Sequence, residues 1–129
     1  MVDPVLAQPL KHHRMYSDSS GESHLDLVEV KQSLADATPP APPLYLSAFS
    51  PASKYGFYTA PPRWIGDWHP APAKQFMVLL SGEWDVETSD GSIVRLSPGD
   101  VIFVEDTWGK GHRSRNVGEV DCHYFVVQI

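Results

Sequence analysis

The fold is decided by residues 67–116, which read DWHPAPAKQFMVLLSGEWDVETSDGSIVRLSPGDVIFVEDTWGKGHRSRN. Short runs rich in β-branched and aromatic residues alternate there with Gly, Pro, Ser and Asp turn signals at near-regular spacing. A histidine lies near each end of the stretch, at His69 and His112. This pattern is typical of a small all-β barrel whose mouth carries polar side chains.

The strands inside this stretch differ in how their faces are patterned. The run at 83–88 alternates cleanly, which places Trp84, Val86 and Thr88 on one inward face. The run at 75–80 is apolar on both faces, so something must cover its outer face, either the N-terminal arm or a second subunit. We favour a homodimer built partly on this surface. Further strands are predicted at 24–30, 44–50, 54–60, 92–96 and 101–104.

The chain before this stretch predicts an arm joined to the barrel by a connector. Residues 1–15 show little periodicity and predict a loose terminus, whose basic cluster at 11–14 we expect to be solvated. The TPPAPP segment at 38–43 predicts an extended connector, because prolines donate no hydrogen bonds to a sheet. The predicted organisation is an arm, strand and connector at 1–43 and a barrel at 44–129.

Composition restricts the function classes. The chain has 129 residues and a formal net charge of −6, which disfavours a nucleic-acid partner. The single cysteine, Cys122, allows no internal disulfide. No apolar run approaches the ~20 residues that span a bilayer, and no signal-peptide pattern begins the chain. We therefore expect a cytoplasmic protein with no membrane partner.

The sequence of the last two predicted strands is typical of a hairpin. Runs at 112–116 and 120–128 flank a predicted two-residue turn at Val117-Gly118. In that register His112 lies opposite His123 with their Cβ atoms about 5 Å apart, so both project to the same face. A slip of one residue would remove this proximity.

The residues from His69 to Gly82 resemble the first sequence motif of the cupin family, whose members are small jelly-roll barrels. The resemblance covers roughly residues 44–129. The family pattern is Gly-x5-His-x-His-x3,4-Glu-x6-Gly. His69 takes the first histidine place, Ala71 the second, Gln75 the glutamate place and Gly82 the closing glycine.

The second family motif, Gly-x5-Pro-x-Gly-x2-His-x3-Asn, is also recognisable. Gly99 opens it, and His112 and Asn116 close it with the family's spacing. The segment at 105–111 replaces the usual Pro-x-Gly part and is two residues longer. The resemblance therefore implies a cupin-type jelly-roll β-barrel with His69 and His112 in one cavity.

The resemblance also implies a metal, because cupins typically bind Fe, Mn, Ni or Zn through three histidines and a glutamate. Only His69 and His112 keep that ligand character, since Ala71 has no lone pair and the Gln75 amide is a poor ligand. His123 supplies a third imidazole if the hairpin register holds, and three histidines with a water suit zinc. The alternative is a metal-free pocket. The expected cofactor is thus none, or one divalent ion, Zn or Fe.

Three functions compete. The first is an enzyme of non-redox chemistry (isomerisation, dehydration, cyclisation or decarboxylation) on a small, partly apolar carbonyl or polyketide-like compound. In it His112 moves protons while His69 and Gln75 hold or polarise an oxygen. The second is a metal-dependent dioxygenase that uses His69, His112 and His123. The third is a non-catalytic cupin that binds or senses a ligand.

Candidate substrate contacts are aromatic, thioether and acidic side chains near the two motifs. Trp108 lies in the longer segment and is the best lid candidate. The carboxylates beside it face water in the commoner case, but near His112 one of them could act as an acid or base. The candidates are Trp68, Met77, Trp84, Trp108, Glu105 and Asp106.

Overall fold

The computed structural model describes residues 5–129, and this part of the chain forms twelve β-strands. Their bounds are β1 Lys11–Ser17, β2 Ser23–Glu29, β3 Ser33–Ala35, β4 Leu44–Leu46, β5 Lys54–Ala60, β6 Ile65–His69, β7 Gln75–Ser81, β8 Trp84–Thr88, β9 Ile93–Leu96, β10 Val101–Val104, β11 His112–Asn116 and β12 Cys122–Gln128. Within residues 5–129 no helix is long and apolar enough to cross a membrane.

The strands form two large sheets and one small ribbon. The six-stranded sheet has the order β2-β1-β10-β7-β12-β5, the four-stranded sheet has the order β6-β11-β8-β9, and β3 pairs with β4. Buried side chains from both large sheets, including Leu79, Leu96 and Ile102, meet in one core. The prediction of an all-β jelly roll is confirmed.

Most of the predicted strands exist, because their patterns are local. Strands β5 and β10 have the predicted bounds, whereas the run expected at 44–50 is reduced to Leu44–Leu46. In β8 the side chains of Trp84, Val86 and Thr88 are buried, and the residues between them are not. The inward face predicted for this strand is confirmed.

The prediction of a loose terminus at 1–15 is wrong for residues 11–15, while residues 1–4 lie outside the described chain. Strand β1 lies inside the six-stranded sheet, antiparallel to β2 and parallel to β10. Its Met15 is only 1% exposed, and Arg14 forms an ion pair with Glu105. The sequence does not predict this strand, because the charged residues of the basic cluster are typical of a solvated segment.

The predicted hairpin of the last two strands is also wrong. Strand β11 pairs with β6 and β8, whereas β12 pairs with β5 and β7 in the other sheet. His123 therefore lies opposite Ser81 and Thr59 rather than opposite His112. Between β11 and β12 the chain crosses from one sheet to the other. The side-chain amide of Asn116 stabilises this connection by donating a hydrogen bond of 2.7 Å to the Val120 carbonyl oxygen.

Candidate functional site

His69 and His112 come together where β6 and β11 pair. The two residues are partners in the antiparallel register, and their ring centroids lie 4.7 Å apart. Gly111, with φ +71°, lets the backbones approach this closely. A Cβ at Gly111 would lie 2.2 Å from the carbonyl carbon of His69. Glycine is therefore the residue that this approach requires.

A buried carboxylate orients His112. The Nδ1–H of His112 donates a hydrogen bond of 2.6 Å to Oδ2 of Asp106. Asp106 is fully buried, and the backbone N–H of Ala71 donates to its carbonyl oxygen at 2.9 Å. Because Nδ1 carries the proton in this bond, Nε2 of the neutral imidazole is left as a proton acceptor.

The imidazoles line a cavity of about 570 Å³ between the two sheets. Gln75, His69, His112 and Ser114 supply polar groups to its wall. Most of the remaining wall is apolar or aromatic, formed by side chains that include Met15, Met77, Val86, Leu96, Ile102 and Val104. A cavity of this size with a few convergent polar groups suits a small, partly apolar organic molecule.

Gln75 adds an amide to the wall of this cavity. It is 2% exposed, and its amide oxygen accepts a hydrogen bond of 3.2 Å from Nε2 of Gln128. Among the described residues the hydrogen-bond acceptor for its own Nε2 is the sulfur of Met77, at 3.7 Å. Sulfur is a weak acceptor, so this amide retains the capacity to donate to a ligand oxygen.

Three aromatic side chains line another part of the cavity. The rings of Trp64 and Trp84 stack with centroids 5.5 Å apart, and Trp84 meets Tyr124 edge-on at 5.3 Å. Among residues 5–129 the buried hydroxyl of Tyr124 has no hydrogen-bond partner. Burial raises the pKa of the Tyr124 phenol, which keeps the hydroxyl protonated.

Four of the predicted substrate contacts do not line the cavity, and three of these lie away from it. The ring of Trp68 lies 5.1 Å from the guanidinium of Arg113, which covers it. Glu105 accepts a hydrogen bond of 3.0 Å from Arg14. Trp108 is 51% exposed on the surface. These side chains lie outside the cavity; Glu105 and Trp108 do so because the segment at 105–111 turns towards the N-terminal strands.

His123 is likewise placed away from the cavity. Its Nδ1 lies 2.8 Å from the hydroxyl of Thr59, and the contact is exposed. The expected third imidazole depended on the hairpin between β11 and β12, which the structure does not form. Asp106, by contrast, is near the site, but it contacts His112 instead of lining the cavity.

Some contributors to the site were not identified from the sequence. Ser114 shares the inward face of β11 with His112, so alternation along that strand signals it. Trp64 and Tyr124 carry no such distinguishing signal. Met15 is not among the predicted contributors, because residues 1–15 predict a loose terminus.

The donor set at the site is weaker than the one with which cupins typically hold a divalent ion. Among residues 5–129 no group of three or more His, Cys, Asp or Glu side chains is placed to hold a metal. Nδ1 of His112 is taken by Asp106, and Nδ1 of His69 donates 2.8 Å to the Pro70 carbonyl oxygen. The ligands available to an ion here are therefore two imidazole Nε2 atoms and the neutral Gln75 amide, whereas cupins typically offer three histidines and a carboxylate.

Comparison with known proteins gives the relationships of the chain. No curated protein matches its sequence significantly. A solved structure described as a predicted oxalate decarboxylase from Thermotoga maritima is 19% identical, covers 78% of this chain and 92% of its own, and has a TM-score of 0.45. The Cnp3 cupin domain of Schizosaccharomyces pombe is 12% identical, with 92% and 81% covered and a TM-score of 0.46.

A third structure is described as a putative ethanolamine utilization protein Q from Salmonella typhimurium, 14% identical, with 95% and 97% covered and a TM-score of 0.39. These likenesses assign no activity to the chain. A family model described as "Cupin domain" matches residues 56–128, which is more than half of the 129 residues. The protein therefore belongs to the cupin family.

Proposed function

We propose that this cupin binds a small, partly apolar carbonyl compound and catalyses proton transfer on it without a resident metal. The observation that carries the proposal is the hydrogen bond from His112 to the buried Asp106, beside an otherwise largely apolar cavity. A carboxylate in this place holds the imidazole in one tautomer and stabilises the imidazolium that forms when Nε2 takes a proton.

The chemistry follows from the atoms available. Nε2 of His112 removes a proton from the carbon next to the carbonyl group, and the electrons of that C–H bond form a C=C bond. Negative charge moves to the carbonyl oxygen, where the Nε2–H of Gln75 donates a hydrogen bond. Returning the proton to a different carbon gives isomerisation, and returning it to a leaving hydroxyl group gives dehydration.

His69 supplies a second site for protons. Because its Nδ1–H donates to the Pro70 carbonyl oxygen, Nε2 of the neutral ring is also an acceptor. With ring centroids 4.7 Å apart, the two imidazoles can act on neighbouring atoms of one ligand. One imidazole can take a proton as a base while the other, once protonated, returns one as an acid, which favours isomerisation or dehydration over decarboxylation.

The test is hydrogen exchange on a ligand in D₂O. A panel of small cyclic and aryl ketones and enones is incubated with the protein, and NMR follows deuterium entry next to the carbonyl group. We expect exchange with at least one compound, and we expect His112→Ala to abolish it. Tight binding of a compound without exchange supports the sensing alternative and contradicts the proposal. Iron-dependent oxygen consumption supports the dioxygenase alternative instead.

We also propose that the protein is a homodimer in the reducing cytoplasm, where the free thiol of Cys122 is stable. The outer face of the six-stranded sheet carries aromatic rings that touch one another across strands. The ring centroid of Phe125 lies 6.1 Å from that of Tyr55 and 5.3 Å from that of Phe57. Tyr55 is 77% exposed and Phe57 is 68% exposed. A continuous exposed apolar patch of this kind favours a protein partner.

A further inference from the structure

The N-terminal hairpin, β1 and β2, lies outside the residues that match the cupin model, yet it contacts the segment that carries Asp106. We name the residues at 105–111 the Asp106 loop. It leaves β10 and leads directly into His112 at the start of β11. The hairpin meets this loop at both of its ends and in its middle.

The first contacts hold the beginning of the loop. The backbone N–H of Glu105 donates a hydrogen bond of 2.8 Å to the carbonyl oxygen of Met15 in β1. Arg14 adds a hydrogen bond of 3.0 Å from its Nε to the Glu105 carboxylate. The residue immediately before Asp106 is therefore tied to β1 through both its backbone and its side chain.

The middle of the loop is held by the end of β1 and the turn between β1 and β2. The hydroxyl of Ser17 donates 2.7 Å to the Trp108 carbonyl oxygen, and the Lys110 backbone N–H donates 2.9 Å to the Gly21 carbonyl oxygen. The backbones pack directly, because a Cβ on Gly109 would lie 2.5 Å from the Gly21 oxygen. Loop and hairpin thus fit together without space for larger residues.

Ser23 holds the end of the loop. It is completely buried, and its hydroxyl donates a hydrogen bond of 2.6 Å to the carbonyl oxygen of Gly111. The same hydroxyl accepts a hydrogen bond of 2.7 Å from the backbone N–H of Ser89. Gly111 precedes His112 and packs on the backbone of His69. Ser23 therefore fixes the peptide group that leads into the proposed base.

We propose that the N-terminal hairpin, through Ser23 and Ser17, is a positioning element that keeps Asp106 in hydrogen-bond contact with His112. The inference rests on the proposed function for its catalytic consequence. Oδ2 of Asp106 accepts from His112, while Oδ1 has no partner in the described chain, so the carboxylate depends on its backbone for its place. A loop tied at both ends loses less conformational entropy when this contact forms.

The experiment compares Ser23→Ala with wild type by NMR of the histidine side chains. In wild type we expect a downfield Nδ1 proton from His112, typical of a charge-assisted hydrogen bond to a carboxylate. In Ser23→Ala we expect that signal to broaden or disappear. The deuterium-exchange rate constant kcat should fall roughly ten- to a hundredfold, with KM little changed. Ser53→Ala is the matched control, because its hydroxyl donates to the carbonyl oxygen of Gln128 in an exposed position.

The proposal is overturned if Ser23→Ala lowers the melting temperature but leaves the Nδ1 signal and kcat as in wild type. If Ser23→Ala does not fold, Ser17→Ala replaces it, and an unchanged Nδ1 signal in that variant overturns the proposal equally. The NMR signal does not depend on any substrate. Failure of the wild-type protein to exchange any ligand therefore counts against the proposed function alone.

Discussion

Asp106 is the residue whose substitution separates geometry from chemistry. In Asp106→Asn the amide has nearly the same shape, but it can donate to Nδ1 and so stabilise the tautomer that carries its proton on Nε2. We expect the exchange rate to fall by about a hundredfold or more. Circular dichroism should show a native fold. An Asp106→Asn protein with wild-type exchange would show that the carboxylate has no role in the reaction.

Tyr124 makes a prediction about stability. Its hydroxyl is buried and has no hydrogen-bond partner among the described residues, so removing it costs no hydrogen bond. We expect Tyr124→Phe to leave the free energy of unfolding unchanged or to raise it by about 1 kcal/mol. Urea unfolding measures this, with Tyr58→Phe as the partly exposed control. A loss of more than about 1 kcal/mol would show that the hydroxyl does have a partner.

At the scale of elements, Gly111 sets the spacing of β6 and β11. Gly111→Ala forces a Cβ into the His69 backbone, and we expect it to destabilise the protein by about 2 kcal/mol or more and to reduce exchange. Gly91→Ala is the matched control, because Gly91 also has a positive φ but a Cβ added there would meet no atom within 4 Å. Gly91→Ala should lower the free energy of unfolding only by the strain of a left-handed backbone conformation, about 1 kcal/mol. Equal losses in the two variants would contradict the close approach.

A pH-dependent bridge joins the N-terminal hairpin to the β8–β9 turn. His24 lies 2.7 Å from Asp18 and 2.9 Å from Asp90, and the Asp18 hydrogen bond raises the His24 pKa against the opposing effect of burial. The hydrogen bond from His24 lowers the pKa of Asp18. The bridge stabilises the fold above the ordinary pKa of an aspartate, about 4, and below the raised pKa of His24.

The prediction is that His24→Gln loses stability relative to wild type near pH 6 and loses less at higher pH. The sign follows because a raised folded-state pKa stabilises the protonated protein, and this contribution disappears as pH rises through it. Thermal unfolding of both proteins across pH 5 to 9 measures the difference. A difference that grows with rising pH would contradict the bridge.

At the scale of the whole molecule, the exposed aromatic face predicts a dimer. Light scattering should give twice the chain mass of 14.3 kDa. Tyr55→Asp places a charge in the patch and should give monomers, since Tyr55 is 77% exposed and burying an unpaired charge is costly. Ile93→Asp is the control on the other sheet, where the side chain is 62% exposed. Loss of the dimer in the Ile93 variant alone would place the interface there.

Features of this protein that depend on near neighbours follow from the sequence, whereas features that depend on residues far apart in the chain do not. The alternation in β8 and the bounds of β10 depend on near neighbours, and both are predicted from the sequence. The convergence of His69 and His112 was inferred from the motif resemblance and is present in the structure. The bond from Asp106 to His112 carried no local signal, because the orientation of a loop depends on what packs against it.

By itself the sequence determined the spans of strands such as β5 and β10 and the side chains that share a face of β8, because the two-residue period of a strand is a local property. Only the tertiary structure decided which strands become neighbours. It placed β1 between β2 and β10, and it sent β11 and β12 to different sheets. Those choices are made by burial of apolar surface and completion of hydrogen bonds between residues far apart in the chain. The same long-range packing brought Asp106 to His112 and left His123 in an exposed contact with Thr59.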